Sequence, residues 1–379
     1  MATILFTGAT GTVGSVLAPL LKKEGHRIVY LVRPKNGQKA EERISLKEDV
    51  IWQGDITLTD CGVNISQRNQ WKGKIGKIVN CAASIKFKES LSEEISKVNV
   101  SGVKNLLHLA EDLGIPEFHQ VSTAYVAGDS SYFTEDDFDK GQTYRNVYER
   151  TKKEAEHLVR TWKQGSSSIY RLAIMVGDSE TGYISFFDGY YAFESALWHL
   201  KQGLLAKGEQ ELEKYRKEGV FFDSDGILTL PIYLKLSSIS TLNIVPVDWV
   251  GRTLAKLIDV PSINQVFHIV HSRPSRIRWI NDVSMRHLGI KGFYYGDSAD
   301  YSSRFLLGKL QRIFDRAIAQ YNPYITHECQ FQVVNAPQAL LGDYEWLPDI
   351  DEAFLAKILK YAKSVDFGKK GQELKAVKV

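Results

Sequence analysis

The chain has 379 residues, 44% of them hydrophobic and 25% charged, with a formal net charge of +3. This is the profile of an ordinary soluble globular protein with room for one large domain or two intimate ones. A charge so near balance gives no electrostatic case for nucleic acid or a membrane surface as partner.

The first half alternates strand-like and helix-like segments. Thr3–Thr7 reads as a buried strand, and Val13, Val16, Leu17, Leu20 and Leu21 form the apolar stripe of a helix that Gly25 stops. Further buried strands are predicted at Arg27–Val32, Val50–Gly54, Lys77–Cys81, Phe118–Ser122 and Ser168–Leu172. Val103, Leu106, Leu107 and Ala110 mark a second helix, ended by Gly114 and Pro116. Beyond about residue 180 the pattern changes. Ser185–Leu205 is rich in aromatics and Leu, Gly208–Glu218 reads as a solvated helix, and Val220–Leu242 is irregular. A helix over Val247–Ile258, with Asp248 as N-cap, precedes one more strand at Val266–Val270. The tail from Tyr301 is predicted mostly helical, with Phe305, Leu306 and Leu310 on one face.

Strand–helix alternation implies an α/β fold, a doubly wound parallel Rossmann sheet with right-handed crossovers. We expect a dinucleotide-binding domain over residues 1–182, with a return over 244–272. Residues 183–243 and 273–379 would form a smaller, mostly helical substrate lobe. Cys61, Cys81 and Cys329 lack metal or redox spacing, so no metal site is expected and a reducing, cytoplasmic setting fits. Nothing approaches the roughly 18 apolar residues of a spanning helix, and a strand starting at Thr3 leaves no room for a signal peptide.

The glycines at Gly8, Gly11 and Gly14 sit between an apolar strand and an amphipathic helix, the setting that a dinucleotide fingerprint requires. Gly8 permits a tight turn, Gly11 lets backbone approach a pyrophosphate, and Gly14 allows close helix–strand packing. Thr10, Thr12 and Val13 complete that loop, and the helix N-terminus supplies N–H groups for phosphate. The second strand ends at Arg33 where an acidic residue would select NAD; a guanidinium there favours NADP. Asp55 ends the third strand and could accept from an adenine amino group, with Ile56 against the ring; a turn cap is the alternative. Asn80, Cys81, Ala82 and Ala83 end the fourth strand in small residues that would let a ribose lie close, or simply pack tightly.

Tyr148 and Lys152 are one helical turn apart and share a helix face. The ammonium would favour the phenolate and hold a ribose hydroxyl, so that Tyr148 exchanges a proton with a substrate oxygen. Thr123, at the end of the fifth strand, supplies a second donor to that oxygen. Asn99, inside a predicted helix, either connects Lys152 to a water chain or makes a local hydrogen bond.

These motifs resemble those of the extended short-chain dehydrogenase/reductases. The resemblance covers roughly residues 1–180 and, more loosely, 244–270. The runs Asn80–Phe87, Val121–Gly128, Asn146–Glu156 and Tyr170–Gly182 are similar to the fatty acyl-CoA reductase and thioester reductase group, the male-sterility type. The resemblance implies an oxidoreductase of lipid metabolism that uses NADPH to reduce an acyl thioester to an aldehyde, or onward to an alcohol. It also implies Thr123, Tyr148 and Lys152 as the catalytic set. The chain carries no fused adenylation or carrier domain, so the acyl group would arrive on coenzyme A or a separate acyl carrier protein. A homodimer is expected by analogy with carbonyl reductases of this fold. The aromatic stretch from Phe186 to Trp198 would either wall an apolar acyl pocket or pack the small lobe's core. Three other readings are a ketone or hydroxyl oxidoreductase on an apolar ring, a sugar-nucleotide epimerase or dehydratase, and a non-catalytic NADP sensor.

Overall fold

A computed structural model describes residues 1–44, 50–236, 239–261, 264–296, 304–326 and 329–369. Seven strands form the main sheet: β1 (Thr3–Thr7), β2 (Arg27–Val32), β3 (Val50–Gln53), β4 (Lys77–Asn80), β5 (Glu117–Thr123), β6 (Ser166–Leu172) and β7 (Gln265–Ile269). Their spatial order is β7-β6-β5-β4-β1-β2-β3, and every neighbouring pair is parallel. This is a doubly wound Rossmann sheet. The direction of winding reverses between β1 and β4, where ligands bind in open parallel sheets.

The two faces follow from strand alternation. Ile4 and Phe6 of β1 pack under helices α1 (Thr12–Lys23) and α5 (Val247–Asp259), whereas Leu5 points to α2 (Gly102–Leu113) and α3 (Val147–Thr161). A separate apolar cluster joins α4 (Tyr190–Leu205), α6 (Ile277–Leu288), α7 (Phe305–Ile318) and α8 (Glu352–Ser364), through Leu197, Val283, Leu307, Phe314 and Leu355. Two short parallel strands, Ile174–Val176 and Ile244–Pro246, pair beside the main sheet and lead the chain into α4 and α5. Among the described residues no helix is long and apolar enough to cross a membrane.

Each predicted strand is present, with ends displaced by at most two residues. Two local expectations need correction, those for Asp248 and for the tail, whereas Asn99 is helical as expected. Asp248 does not cap α5, whose N-cap is Pro246. Its carboxylate instead accepts from the Ser179 N–H at 2.8 Å and the Ser179 hydroxyl at 2.7 Å, and pairs with Arg252 at 2.8 Å. Asn99 lies in a π-helical turn, Lys97–Ser101, that feeds α2. In the tail, Leu307, Leu310, Phe314 and Ile318 form the buried face of α7, while Phe305 is exposed. Tyr301, the predicted start of that tail, lies outside the described residues.

Candidate active site

The glycine loop is a cradle with no space for side chains. A Cβ on Gly8, whose φ is +75°, would stand 2.5 Å from the Ala82 nitrogen across the β1–β4 crevice. On Gly14 it would lie 2.2 Å from the Gly8 carbonyl oxygen, which also accepts from the Gly11 N–H at 2.9 Å. Helix α1 begins at Thr12 with Gly11 as N-cap, and no side chain among the described residues caps it. Its first N–H groups are therefore available to an anion. A dinucleotide's pyrophosphate fits this backbone-only cradle, and Thr12 and Val13 stand at its rim.

The residues expected to contact the adenosine half converge differently than the spacing suggested. Arg33 and Asp55 lean on each other, 3.7 Å apart, with the Arg33 side chain half exposed. Asp55 also accepts from the Thr57 N–H at 2.9 Å, which is the turn-cap arrangement. Ile56 is buried against Gly102, where a Cβ would meet its Cδ1 at 2.7 Å. Most of that side chain closes the core, and little is left to wall a ring. Asn80 Oδ1 accepts from the Ala82 N–H at 3.1 Å, which fixes the turn into Ala83. Asn99 Oδ1 accepts from the Ser84 N–H at 2.7 Å, and its Nδ2 donates to the Thr151 hydroxyl at 3.0 Å. It thus ties the loop after β4 to α3, beside Lys152.

Spacing alone did not single out Arg43. Its guanidinium donates to the Thr10 hydroxyl at 3.0 Å and to the Arg33 carbonyl at 2.6 Å. It sits at the end of a short helical segment, Ala40–Arg43. Nothing in a charge-rich run marked it as a residue that returns to the phosphate loop.

Helix α3 is capped by Asn146, which accepts from the Glu149 N–H at 3.0 Å, and this cap fixes the rotation of Tyr148 and Lys152. Tyr148 and Thr123 line one cavity of about 410 Å³. Burial pushes the Tyr148 phenol up to about 12, opposed by a hydrogen bond from Thr123. The lysine behaves differently from expectation. Its Nζ donates to the Val121 carbonyl at 2.7 Å, so Thr123, not Lys152, is the group here that favours the phenolate. Burial lowers Lys152 to about 8, opposed by Glu156 one turn further along α3. Glu156 accepts from the Ser122 hydroxyl at 2.6 Å and pairs with Arg171 at 2.9 Å. The cavity's remaining walls are largely apolar, from Ile174, Phe186, Phe193 and Ile277 among others. Phe87 stacks near Tyr148, with ring centroids 5.7 Å apart, and also contacts Tyr321 and Tyr324. The aromatic stretch therefore serves both ends that the sequence left open: Tyr191 and Leu197 fill the core, while Phe186, Tyr190 and Phe193 face the cavity.

A reversing parallel sheet, a glycine cradle at its switch point and a Thr–Tyr–Lys set beside it define an extended short-chain dehydrogenase/reductase, an oxidoreductase class. The family model described as male sterility protein, an NAD-binding domain, matches residues 6–254, and the chain belongs to that family. A nicotinamide dinucleotide is accordingly its cofactor class. Fatty acyl-CoA reductase 1 of Gallus gallus is 32% identical over 145 residues, which cover 32% of this chain and 28% of that protein. The chain thus spans well under two thirds of that relative's length. Among solved structures, the terminal R domain from the myxalamid PKS-NRPS biosynthetic pathway superposes with a TM-score of 0.74 at 22% identity, covering 97% of this chain and 92% of that one. A thiolation-reductase di-domain from an archaeal non-ribosomal peptide synthetase gives a TM-score of 0.68 at 21% identity, covering 97% of this chain and 76% of that one. At these identities the two structures share the fold.

Proposed function

We propose that the chain is an NADPH-dependent reductase of acyl thioesters. The observation that carries this reading is the Thr123–Tyr148 pair, set in the wall of a largely apolar cavity of about 410 Å³. An acyl chain fits such a wall, whereas a sugar nucleotide would call for more polar contacts. The names of the relatives point the same way: one is a fatty acyl-CoA reductase, and one neighbouring structure joins a thiolation domain to a reductase.

In this reading residues 1–182 and 244–272 hold the cofactor, and the remainder shapes the acyl pocket. Gly8, Thr10, Gly11, Thr12, Val13 and Gly14 cradle the pyrophosphate, Arg33 and Arg43 face a 2′-phosphate, and Ala82 and Ala83 lie against a ribose. Bound NADPH supplies hydride. Thr123 and Tyr148 hold the thioester oxygen as negative charge develops on it, and Tyr148 gives it a proton. Lys152 keeps its ammonium beside the Val121 carbonyl, positioned for a ribose hydroxyl. The hemithioacetal then expels its thiol and leaves an aldehyde. The thiol is coenzyme A or that of an acyl carrier protein, and the setting is cytoplasmic.

The test is NADPH oxidation with an acyl-CoA, an aldehyde and a UDP-sugar in turn, with the products identified. Aldehyde and free thiol formed from the acyl-CoA support the proposal. Consumption of NADPH by the sugar nucleotide alone sinks it. Tight NADPH binding without turnover of any of the three also sinks it, and favours a sensor.

A further inference from the structure

Helix α4 carries Tyr190 and Glu194 one turn apart, and α6 carries Asn281 and Ser284 one turn apart. The two helices meet through Tyr190, Glu194 and Ser284. The Tyr190 hydroxyl lies 3.0 Å from Ser284 Oγ, and Ser284 Oγ donates to Glu194 Oε1 at 3.1 Å. Glu194 is 1% exposed and Asn281 4% exposed, yet both line the cavity that holds Tyr148. Glu194 Oε2 and Asn281 Nδ2 find no partner in regular hydrogen-bond geometry among the described residues. Looser hydrogen-bonding contacts do reach these groups, Tyr190 to Glu194 and Asn281 to the Tyr295 phenol, each the smallest influence on the pKa of the group it touches.

Buried polar groups are nearly always paired, and one left without a partner is costly. Here two such atoms stand on facing helices, in the wall of a cavity whose other residues are mostly apolar. A pocket built only for a hydrocarbon chain would place aliphatic side chains at both positions. The feature is therefore unexplained until something enters the cavity and meets it.

We propose that Glu194 and Asn281 form a subsite for an oxygen-bearing group, a hydroxyl or a carbonyl, carried by the acyl part of the substrate away from its thioester. The reacting end of that substrate rests on the function proposed above. Burial pushes the Glu194 carboxyl up to about 8, so at neutral pH it keeps its proton. The acid then offers an O–H and Asn281 offers an N–H: two donors suited to one acceptor oxygen. An ammonium group would instead need the ionised carboxylate.

The test uses decanoyl thioesters with a hydroxyl or oxo group placed at successive chain positions, assayed on NADPH-loaded protein. Non-reducible thioether analogues of the same chains are measured in parallel by calorimetry. One oxygen position should raise kcat/KM and tighten Kd by about tenfold over the plain chain, the factor expected for one neutral hydrogen bond of roughly 1.4 kcal/mol. Glu194→Leu should bring that ratio close to one, and Glu194→Gln, which still donates, should keep most of it. A wild-type ratio below about twofold at every position overturns the subsite, as does a ratio that Glu194→Leu leaves intact. A preference for an amino-bearing chain overturns it too. If thioesters are not reduced but oxygenated thioethers still bind better in a Glu194-dependent way, the subsite stands and the thioester reading falls. If thioesters are reduced without any oxygen preference, the thioester reading stands and the subsite falls.

Discussion

The guanidinium of Arg43 donates to the Thr10 hydroxyl at 3.0 Å and so ties the segment after β2 to the glycine loop. With Arg33, whose carbonyl it also meets, it brings two cations together beside that loop, where the proposed NADPH would carry its 2′-phosphate. Burial lowers the Arg43 pKa, and the nearby Arg33 charge adds to this, a tension that a phosphate would relieve. Arg43→Ala should weaken NADPH binding about ten- to a hundredfold and NADH binding far less, as loss of a charge-assisted hydrogen bond implies. Arg33→Ala should have the smaller effect, because its side chain is half exposed and shared with Asp55. Fluorescence titration with both nucleotides measures this. Equal losses for NADPH and NADH would mean that the pair merely braces the loop.

Tyr148 and Thr123 line the same cavity, and Thr123 opposes the rise that burial gives the Tyr148 phenol. Tyr148→Phe should lower kcat on an acyl thioester by about a hundredfold or more, the usual scale for a lost proton donor, while the NADPH Kd changes little. Thr123→Val should lower kcat by a smaller factor, since Tyr148 would remain to hold the oxygen. Near-wild-type turnover in Tyr148→Phe would remove this residue from the chemistry.

The strands of the sheet were legible because a strand covered on both faces is a short apolar run, as in Arg27–Val32. Gly8 was legible because only glycine tolerates its positive φ against the Ala82 backbone. What escaped were choices between partners. Asp248 looked like a helix cap, but residue 179 lies closer in space than any sequence pattern discloses. Tyr148 and Lys152 share a helix face as their spacing implied, yet the lysine's long stem lets its ammonium choose the Val121 carbonyl. Glu194 sits in an aromatic-rich helix, where one acid among apolar residues would ordinarily mark the solvent side. Its burial depends on α6, about ninety residues later, which no local pattern can disclose.

On the proposed function, the low pKa of Lys152 gives NADPH binding a pH dependence. Burial brings it from 10.5 down to about 8, so the ammonium is present below that value and is lost as pH rises through it. If the ammonium holds the ribose, the affinity of the free protein for NADPH declines as pH rises above about 8. Lys152→Arg keeps its charge across this range and should move the decline to higher pH. Titrations at a series of pH values on wild type and variant distinguish this from a general alkaline effect, which would move both alike.

Glu156 and Arg171 are fully buried partners 2.9 Å apart. Burial alone would raise the Glu156 carboxyl, but Arg171 and Ser122 outweigh it and hold the group below its ordinary value of 4.5. A depressed carboxylate adds stability above its unfolded pKa and withdraws it as pH falls through the folded one. Glu156→Ala strands a buried guanidinium and should cost about 3–5 kcal/mol. Urea unfolding near neutral pH measures the loss, and the difference between wild type and variant should narrow in acid. A loss under about 1 kcal/mol would show that water reaches Arg171 and screens it.

Glu194 gives the opposite sign. Its folded pKa is raised from 4.5 to about 8 by burial. Between those values the native state binds a proton that the unfolded chain has lost. The group's contribution is therefore fully present below about pH 4.5 and is lost as pH rises toward 8. The slope approaches about 1.4 kcal/mol per pH unit in the middle of that window. Glu194→Gln cannot titrate and keeps the shape and the contact with Ser284, so its stability should not carry this slope. The difference in unfolding free energy between wild type and Glu194→Gln should accordingly shift in favour of the variant from pH 5 to pH 8. A difference that stays level across that range would mean that Glu194 is ionised in the folded protein, with water or a cation reaching the cavity to meet it.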